Sequence, residues 1–346
     1  MKNLIKPKKL QPGDKTATIS LSWGGAGEIP YRYEVGKKRL QDVFGLEVVE
    51  TPNALRSADF IHNNPQARAE DLMQAFSDSS IKGIFSNIGG DDSIRLLPFI
   101  DLSVIANNPK VFLGFSDTTV THFSCYKAGL SSFYGTSVLV GFAENVNMFP
   151  YQIEDIKRTL FSSEPVGTIL PSGGWTSERL EWFDAGLQNT ARKLTKSNEW
   201  NFLQGTSIVS GPLLGGCVEV LEFLKGTDHW IEANDWEGAI MFLETSETMM
   251  DPLYFKWILR NYAAQRIFHK VAGLIVGRPY HNKYVMEYNA ALLKVIRDEQ
   301  GLHELPIVTE MDFGHTSPAF TIPYGAMAEI NCKEKRFAIK DNGVTD

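Results

Sequence analysis

Cysteine is scarce in this chain: three among 346 residues (Cys125, Cys217, Cys332), odd in number and widely scattered. That excludes a disulfide framework and a thiolate metal site, and it fits a reducing, cytoplasmic compartment. Long apolar runs are missing too. No stretch reaches the roughly 20 residues of a membrane-crossing helix, and the basic start MKNLIKPKKLQPGDK is followed by no signal-peptide core, so no membrane role is expected. Positive charge is in short supply. Lys and Arg number 34 against 41 Asp and Glu, for a net charge of −7, and beyond Lys6, Lys8 and Lys9 there is no basic cluster. A phosphate-backbone partner is thereby excluded, and no nucleic acid is expected to bind. What is present is core material: 43% hydrophobic and 22% charged residues, in a length that suggests two domains.

The first half alternates strand-like and helix-like segments. DKTATISLSW, LEVVETPN, IKGIFSNIGG and VFLGFS read as strands. Tyr31 to Phe44 and PQARAEDLMQAF have helical spacing. Such alternation predicts an α/β fold with a mostly parallel sheet, whose ligands collect at the carboxyl ends of the strands. After the helix in FPYQIEDIKRTLFSSEPVG the pattern weakens, and residues 166–205 read as a linker or insertion of irregular structure. SIVSGPLLGG, GAIMFLETSE, KVAGLIVGRP, LPIVTEMDFG and RFAIKDNG then read as the strands of a second α/β domain, with helices at Cys217 to Leu224, Asp251 to Ala264 and Tyr284 to Asp298. The expected organisation is therefore 1–165, a linker or insertion over 166–205, and 206–346.

Ser116 in VFLGFSDTT stands at a strand-to-helix turn. A nucleophile elbow uses that position to lift a hydroxyl above a sheet, although Ser, Thr and Asp also sit at such junctions merely as helix caps. A base and an acid are needed to decide. Of seven histidines, His62, His229, His281 and His303 fall in polar loops, and His122 and His269 on helical stretches. His315 follows a strand that ends in glycine. Glu244 ends the apolar run AIMFL, where an isolated buried charge would be costly without a partner. Asp312 is a competing acid and Glu247 a weaker one. Arg278, at the end of GLIVGRP, suits bidentate recognition of a carboxylate or, equally, a structural salt bridge. The order Ser, acid, His is that of α/β-hydrolases, though the same geometry occurs with other orders.

Taken together and in their order along the chain, IGGDDS, GFSDTT, GPLLGG, FLETSE, GLIVGRP and DFGHTSPAFTIPYG resemble the LD-carboxypeptidase and microcin C resistance family of serine peptidases over nearly the whole chain. The resemblance implies a triad falling on Ser116, Glu244 and His315. It also implies a flavodoxin-like or amidotransferase-like N-terminal domain carrying the nucleophile, a C-terminal domain carrying acid and base, a cleft between them, and a homodimer. One departure is Cys217, where the family usually has Asn after GPLLGG, so specificity is in question there. The length, the stretch GTSVLVGFAENVNMFPYQIEDIKRTLF and the tryptophans of the insertion (Trp175, Trp182, Trp200) bring the chain closer to the microcin-immunity branch. That branch cuts the bond between a C-terminal aspartate and a modified adenylate, whereas the other releases D-alanine from murein tetrapeptides. The substrate implied is a small peptide or peptidyl-nucleotide. A tryptophan such as Trp175 or Trp182 could offer its face to adenine, or simply pack. Ser-His-Glu chemistry requires neither metal nor organic cofactor. The oxyanion donors expected are the N–H groups of Asp117 and Gly90, the latter beside a helix expected to begin near Asp92 whose dipole would help. Two other classes compete: a small-molecule binding module, which would gain nothing from Ser, Glu and His at three strand ends, and a glutaminase-like amidotransferase, which would need a cysteine at the elbow.

Overall fold

The computed structural model describes residues 2–197 and 199–346. Its first sheet takes β1 (Lys15–Ile19), β2 (Glu47–Glu50), β3 (Ile81–Ser86), β4 (Val111–Gly114) and β5 (Phe133–Tyr134) from the first half of the chain. These five run parallel in the order β5-β4-β3-β1-β2. Strand β4, between β3 and β5, is buried at every position, as a central strand of a covered parallel sheet is, whereas the edge strand β2 is only partly buried.

The rest of the chain supplies β6 (Gly167–Ile169), a hairpin of β7 (Gly173–Trp175) and β8 (Thr195–Ser197), β9 (Asn201–Gln204), β10 (Ile208–Cys217), β11 (Ile240–Glu244), β12 (Gly273–Gly277), β13 (Ile307–Met311), β14 (Ile322–Pro323), β15 (Met327–Asn331) and β16 (Arg336–Ile339). Eight of them form the second sheet, ordered β6-β16-β15-β10-β11-β12-β13-β9. Its centre, β10 to β13, is parallel. Strands β9, β15, β16 and β6 are added antiparallel at its two sides.

Most expected strands and helices fall within a few residues of these bounds. Three differences matter. Residues 166–205, expected to be irregular, supply β6, β9 and the separate hairpin; strands of three or four residues are too short to show a period in a Gly- and Ser-rich stretch. Strand β14 pairs antiparallel with β5 and closes the edge of the first sheet with residues from the far end of the chain. The helix expected near Asp92 is a 3-10 run, Ser93–Phe99, which contains Pro98. No described helix is long and apolar enough to cross a membrane.

Candidate active site

Strand β4 ends at Gly114, and the chain turns sharply into a short 3-10 turn, Ser116–Thr118, before the helix Thr119–Ala128. Ser116 takes φ of +61°. A non-glycine residue is rarely left-handed, and this conformation is held from several sides. Its N–H donates to Tyr134 Oη at 2.9 Å, and its C=O accepts from Thr119 Oγ1 at 2.7 Å. The Asp117 carboxylate accepts from the N–H groups of Asp92 (3.0 Å) and Ser93 (2.8 Å), which ties the turn to the loop after β3. That loop needs glycine: a Cβ on Gly89 would stand 2.9 Å from Ser116 Cβ. Burial raises the Asp117 carboxyl above its ordinary range, and the hydrogen bonds it accepts act against that shift.

Glu244 is the last residue of β11 and is fully buried. His315 lies four residues beyond β13, and Gly314 before it is left-handed at φ of +92°; a Cβ there would fall 2.7 Å from Glu244 Oε2. The carboxylate can therefore reach His315 Nδ1, at 2.6 Å, while Nε2 lies 3.0 Å from Ser116 Oγ. Phe115 packs edge-on against the imidazole. Serine, imidazole and carboxylate thus form one hydrogen-bonded line, drawn from the carboxyl ends of β4, β11 and β13. Burial by itself would lower the His315 pKa, but Glu244 and then Glu247 hold it well above the ordinary histidine range.

Three other histidines are engaged elsewhere. His122, fully buried, bonds Ser132 Oγ and the Gly114 carbonyl, and burial pushes its pKa down to about 3. His229 faces Ser124 and His281 faces Ser177. Asp312 does not meet His315: its carboxylate accepts from Trp200 Nε1 (2.9 Å) and the Ser172 N–H (3.0 Å). Glu247 does meet it, but at Nε2 (3.0 Å) and not at Nδ1.

Arg278, a candidate for holding a substrate carboxylate, is 3% exposed and paired within the protein. Its guanidinium lies 3.5 Å from Asp312 and 3.7 Å from Glu310, donates to Ser197 Oγ and sits over the Trp175 ring. A cation so enclosed has its charge answered by acids on neighbouring strand ends, which favours the salt-bridge reading. Trp175 is buried beneath it. Trp182 is partly exposed, with the guanidinium groups of Arg32 and Arg179 over its ring at 4.3 and 4.7 Å. Cys217 is buried at the end of β10, opposite Glu244 on β11. Its N–H donates to Thr119 Oγ1 and its thiol to Glu219. Gly90 follows Gly89 in the loop beside Ser116, with φ of +147°. Among the described residues neither the Gly90 nor the Asp117 N–H donates to a protein acceptor.

Tyr134 escaped the sequence reading. Fully buried, its hydroxyl accepts from the Ser116 N–H and donates to Glu244 Oε1, so it links serine and carboxylate across the two sheets. Nothing in SSFYG marks it; only the pairing of β5 with β4 brings it there.

Residues 17–135 match the LD-carboxypeptidase N-terminal domain, and residues 210–330 the C-terminal domain of the same family. This chain belongs to the LD-carboxypeptidase family. It is therefore a serine-type carboxypeptidase. A solved MccF-like protein from Streptococcus pneumoniae, in complex with AMP, is 34% identical and superposes with a TM-score of 0.86 over 94% of this chain and 98% of that one. The microcin C7 self-immunity protein MccF of Escherichia coli is 27% identical over 288 residues, 79% of this chain and 78% of that protein. A structure of MccF with aspartyl sulfamoyl adenosine is 25% identical and covers 99% of this chain and 100% of that one, with a TM-score of 0.87.

Proposed function

We propose that this LD-carboxypeptidase family member hydrolyses the bond between a C-terminal aminoacyl group and a nucleotide-like acceptor, with Ser116 as nucleophile, His315 as base and Glu244 as the acid that orients it. The observation that carries this reading is the continuous line Ser116 Oγ, His315 Nε2, His315 Nδ1, Glu244 Oε2, with contacts of 3.0 and 2.6 Å. The acceptor is suggested by the relatives whose structures hold AMP and aspartyl sulfamoyl adenosine.

In this mechanism Ser116 Oγ attacks the scissile carbonyl as its proton passes to His315 Nε2. The Glu244 carboxylate keeps the other ring proton on Nδ1 and stabilises the imidazolium. The oxyanion is received by the N–H groups of Asp117 and Gly90. His315 then returns the proton to the leaving nitrogen, and water, deprotonated by the same imidazole, releases the acyl group from Ser116. Trp182, with part of its surface open, is a better candidate to stack on adenine than Trp175 beneath Arg278. The cleft between the domains, the homodimer and the cytoplasmic location implied by the resemblance belong to the same proposal.

The test offers two substrates side by side, aspartyl sulfamoyl adenosine and a murein tetrapeptide. Cleavage of the first is expected; release of D-alanine alone would overturn the nucleotide acceptor. Ser116→Ala is expected to lower turnover by about 10⁴ to 10⁶ without loss of fold. Retention of a tenth of the activity would remove Ser116 from the role.

A further inference from the structure

One acidic group at this site has no part in the mechanism above. Glu247 Oε2 lies 3.0 Å from His315 Nε2, the same nitrogen that lies 3.0 Å from Ser116 Oγ. A ring nitrogen has one lone pair or one proton, so the two partners compete for it. Glu244 already holds Nδ1, so the tautomer does not depend on Glu247. The Glu247 side chain is 47% exposed, whereas that of Glu244 is wholly enclosed. Its backbone segment is not loose. Glu219 Oε1 accepts from the N–H and the hydroxyl of Ser246, at 3.0 and 2.8 Å, and so anchors the loop just before Glu247. Among the described residues no Lys or Arg comes within 4 Å of Glu247. The hydrogen bond to His315 lowers the Glu247 pKa, with a smaller contribution from Arg179, but the Arg179 guanidinium is engaged over Trp182.

An ionised Glu247 at Nε2 favours the imidazolium, which cannot accept the Ser116 proton. A neutral or anionic substrate gives the carboxylate no reason to leave. A cation does, because a charge-assisted hydrogen bond at the edge of a water-poor site is among the stronger non-covalent contacts. We propose that Glu247 is the subsite for an ammonium group on the acyl half of the substrate, close to the scissile carbonyl, and that binding this group draws the carboxylate off His315 and leaves Nε2 to Ser116. The substrate class is then an acyl donor with a free amine, and donors lacking that positive charge react poorly. This rests on Ser116 and His315 as nucleophile and base, but not on the identity of the leaving group.

The experiment uses two fluorophosphonates that differ only in one arm, aminopropyl in one and butyl in the other. Each phosphonylates a serine, the new P–O bond to Oγ forming as fluoride leaves, and neither contains a nucleotide or D-alanine. Labelling rates are measured on the full chain at neutral pH, with Ser116 confirmed as the site by mass spectrometry. The expected result is about tenfold or more faster labelling by the aminopropyl probe in the unmodified protein, a ratio near one in Glu247→Gln, and an intermediate ratio in Glu247→Asp. Because the readout is a ratio within one protein, a change in the folded fraction cancels. Equal rates in the unmodified protein, a preference that survives Glu247→Gln, or no reaction at Ser116 with either probe would overturn the proposal. Failure to cleave aspartyl sulfamoyl adenosine, with the probe ratio intact, would instead remove the nucleotide acceptor and leave the ammonium subsite standing.

Discussion

At the scale of single residues, the site depends on side chains that serve two partners at once. Tyr134 Oη bridges the Ser116 N–H and Glu244, so Tyr134→Phe strands a buried donor on one side and a buried carboxylate oxygen on the other. An unsatisfied buried polar group costs about 1 to 3 kcal/mol. The expected outcome is a lower melting temperature together with a kcat reduced at least severalfold and KM little changed, because the hydroxyl positions the serine and acid without touching substrate. Normal kcat in the folded variant would limit Tyr134 to stability. Besides Ser116, His315 has two acidic partners, Glu244 and Glu247, both of which raise its pKa against the lowering effect of burial. As the proposed base, His315 must be neutral to take a proton, so kcat/KM for the free enzyme should climb with pH through that raised value. Glu247→Gln removes one of the two carboxylates. For a substrate without an amine, the acid limb of the kcat/KM profile should move to lower pH; a limb that does not move would assign the whole shift to Glu244.

At the scale of elements, the ends of the parallel strands carry the proposed triad, and short segments between them set its geometry. The hairpin of β7 and β8 contributes no residue to the proposed triad, yet it holds Trp175 and Ser197 against Arg278 at the end of β12, and Arg278 in turn meets Glu310 and Asp312 at the end of β13. These contacts brace the start of the loop that carries His315. Arg278→Lys keeps the charge but not the planar, multiply donating group. We expect it to lower the melting temperature by several degrees, with kcat/KM of the surviving folded protein changed by less than about threefold, in line with the roughly 1 kcal/mol or more of a surrendered buried contact. A loss of kcat/KM of one to two orders of magnitude at unchanged stability would return Arg278 to substrate binding.

At the scale of the molecule, the line of hydrogen bonds joins the two sheets: Ser116 and Tyr134 come from the first, Glu244 and His315 from the second. The sign of its contribution to stability follows from the raised His315 pKa. A histidine whose folded pKa exceeds its unfolded value, about 6.5, stabilises the fold fully below that unfolded value and loses the contribution as pH rises through the folded one. Stability measured by urea unfolding should therefore decline from neutral into alkaline pH, and His315→Asn should flatten part of that decline. An identical slope in the variant would show that other groups cause it.

The amino-acid sequence by itself determined the local pieces. Apolar runs bounded by Gly and Pro made the parallel strands legible, and the resemblance carried by six motifs pointed to Ser116, Glu244 and His315. Two kinds of information were beyond it. Strands of three or four residues, such as β6 and β9, show no period of their own and exist only because a neighbouring edge offers them hydrogen bonds. Which partners meet across a distance, such as Tyr134 with Glu244, Asp312 with Trp200 and Glu247 with the far nitrogen of His315, was decided only by the tertiary structure. Sequence pattern reports whether a residue prefers burial, whereas a hydrogen bond depends on the position of two atoms to within a few tenths of an ångström, and residues 110 or 71 positions apart, as in Tyr134–Glu244 and Glu244–His315, reach that precision only after both sheets have packed.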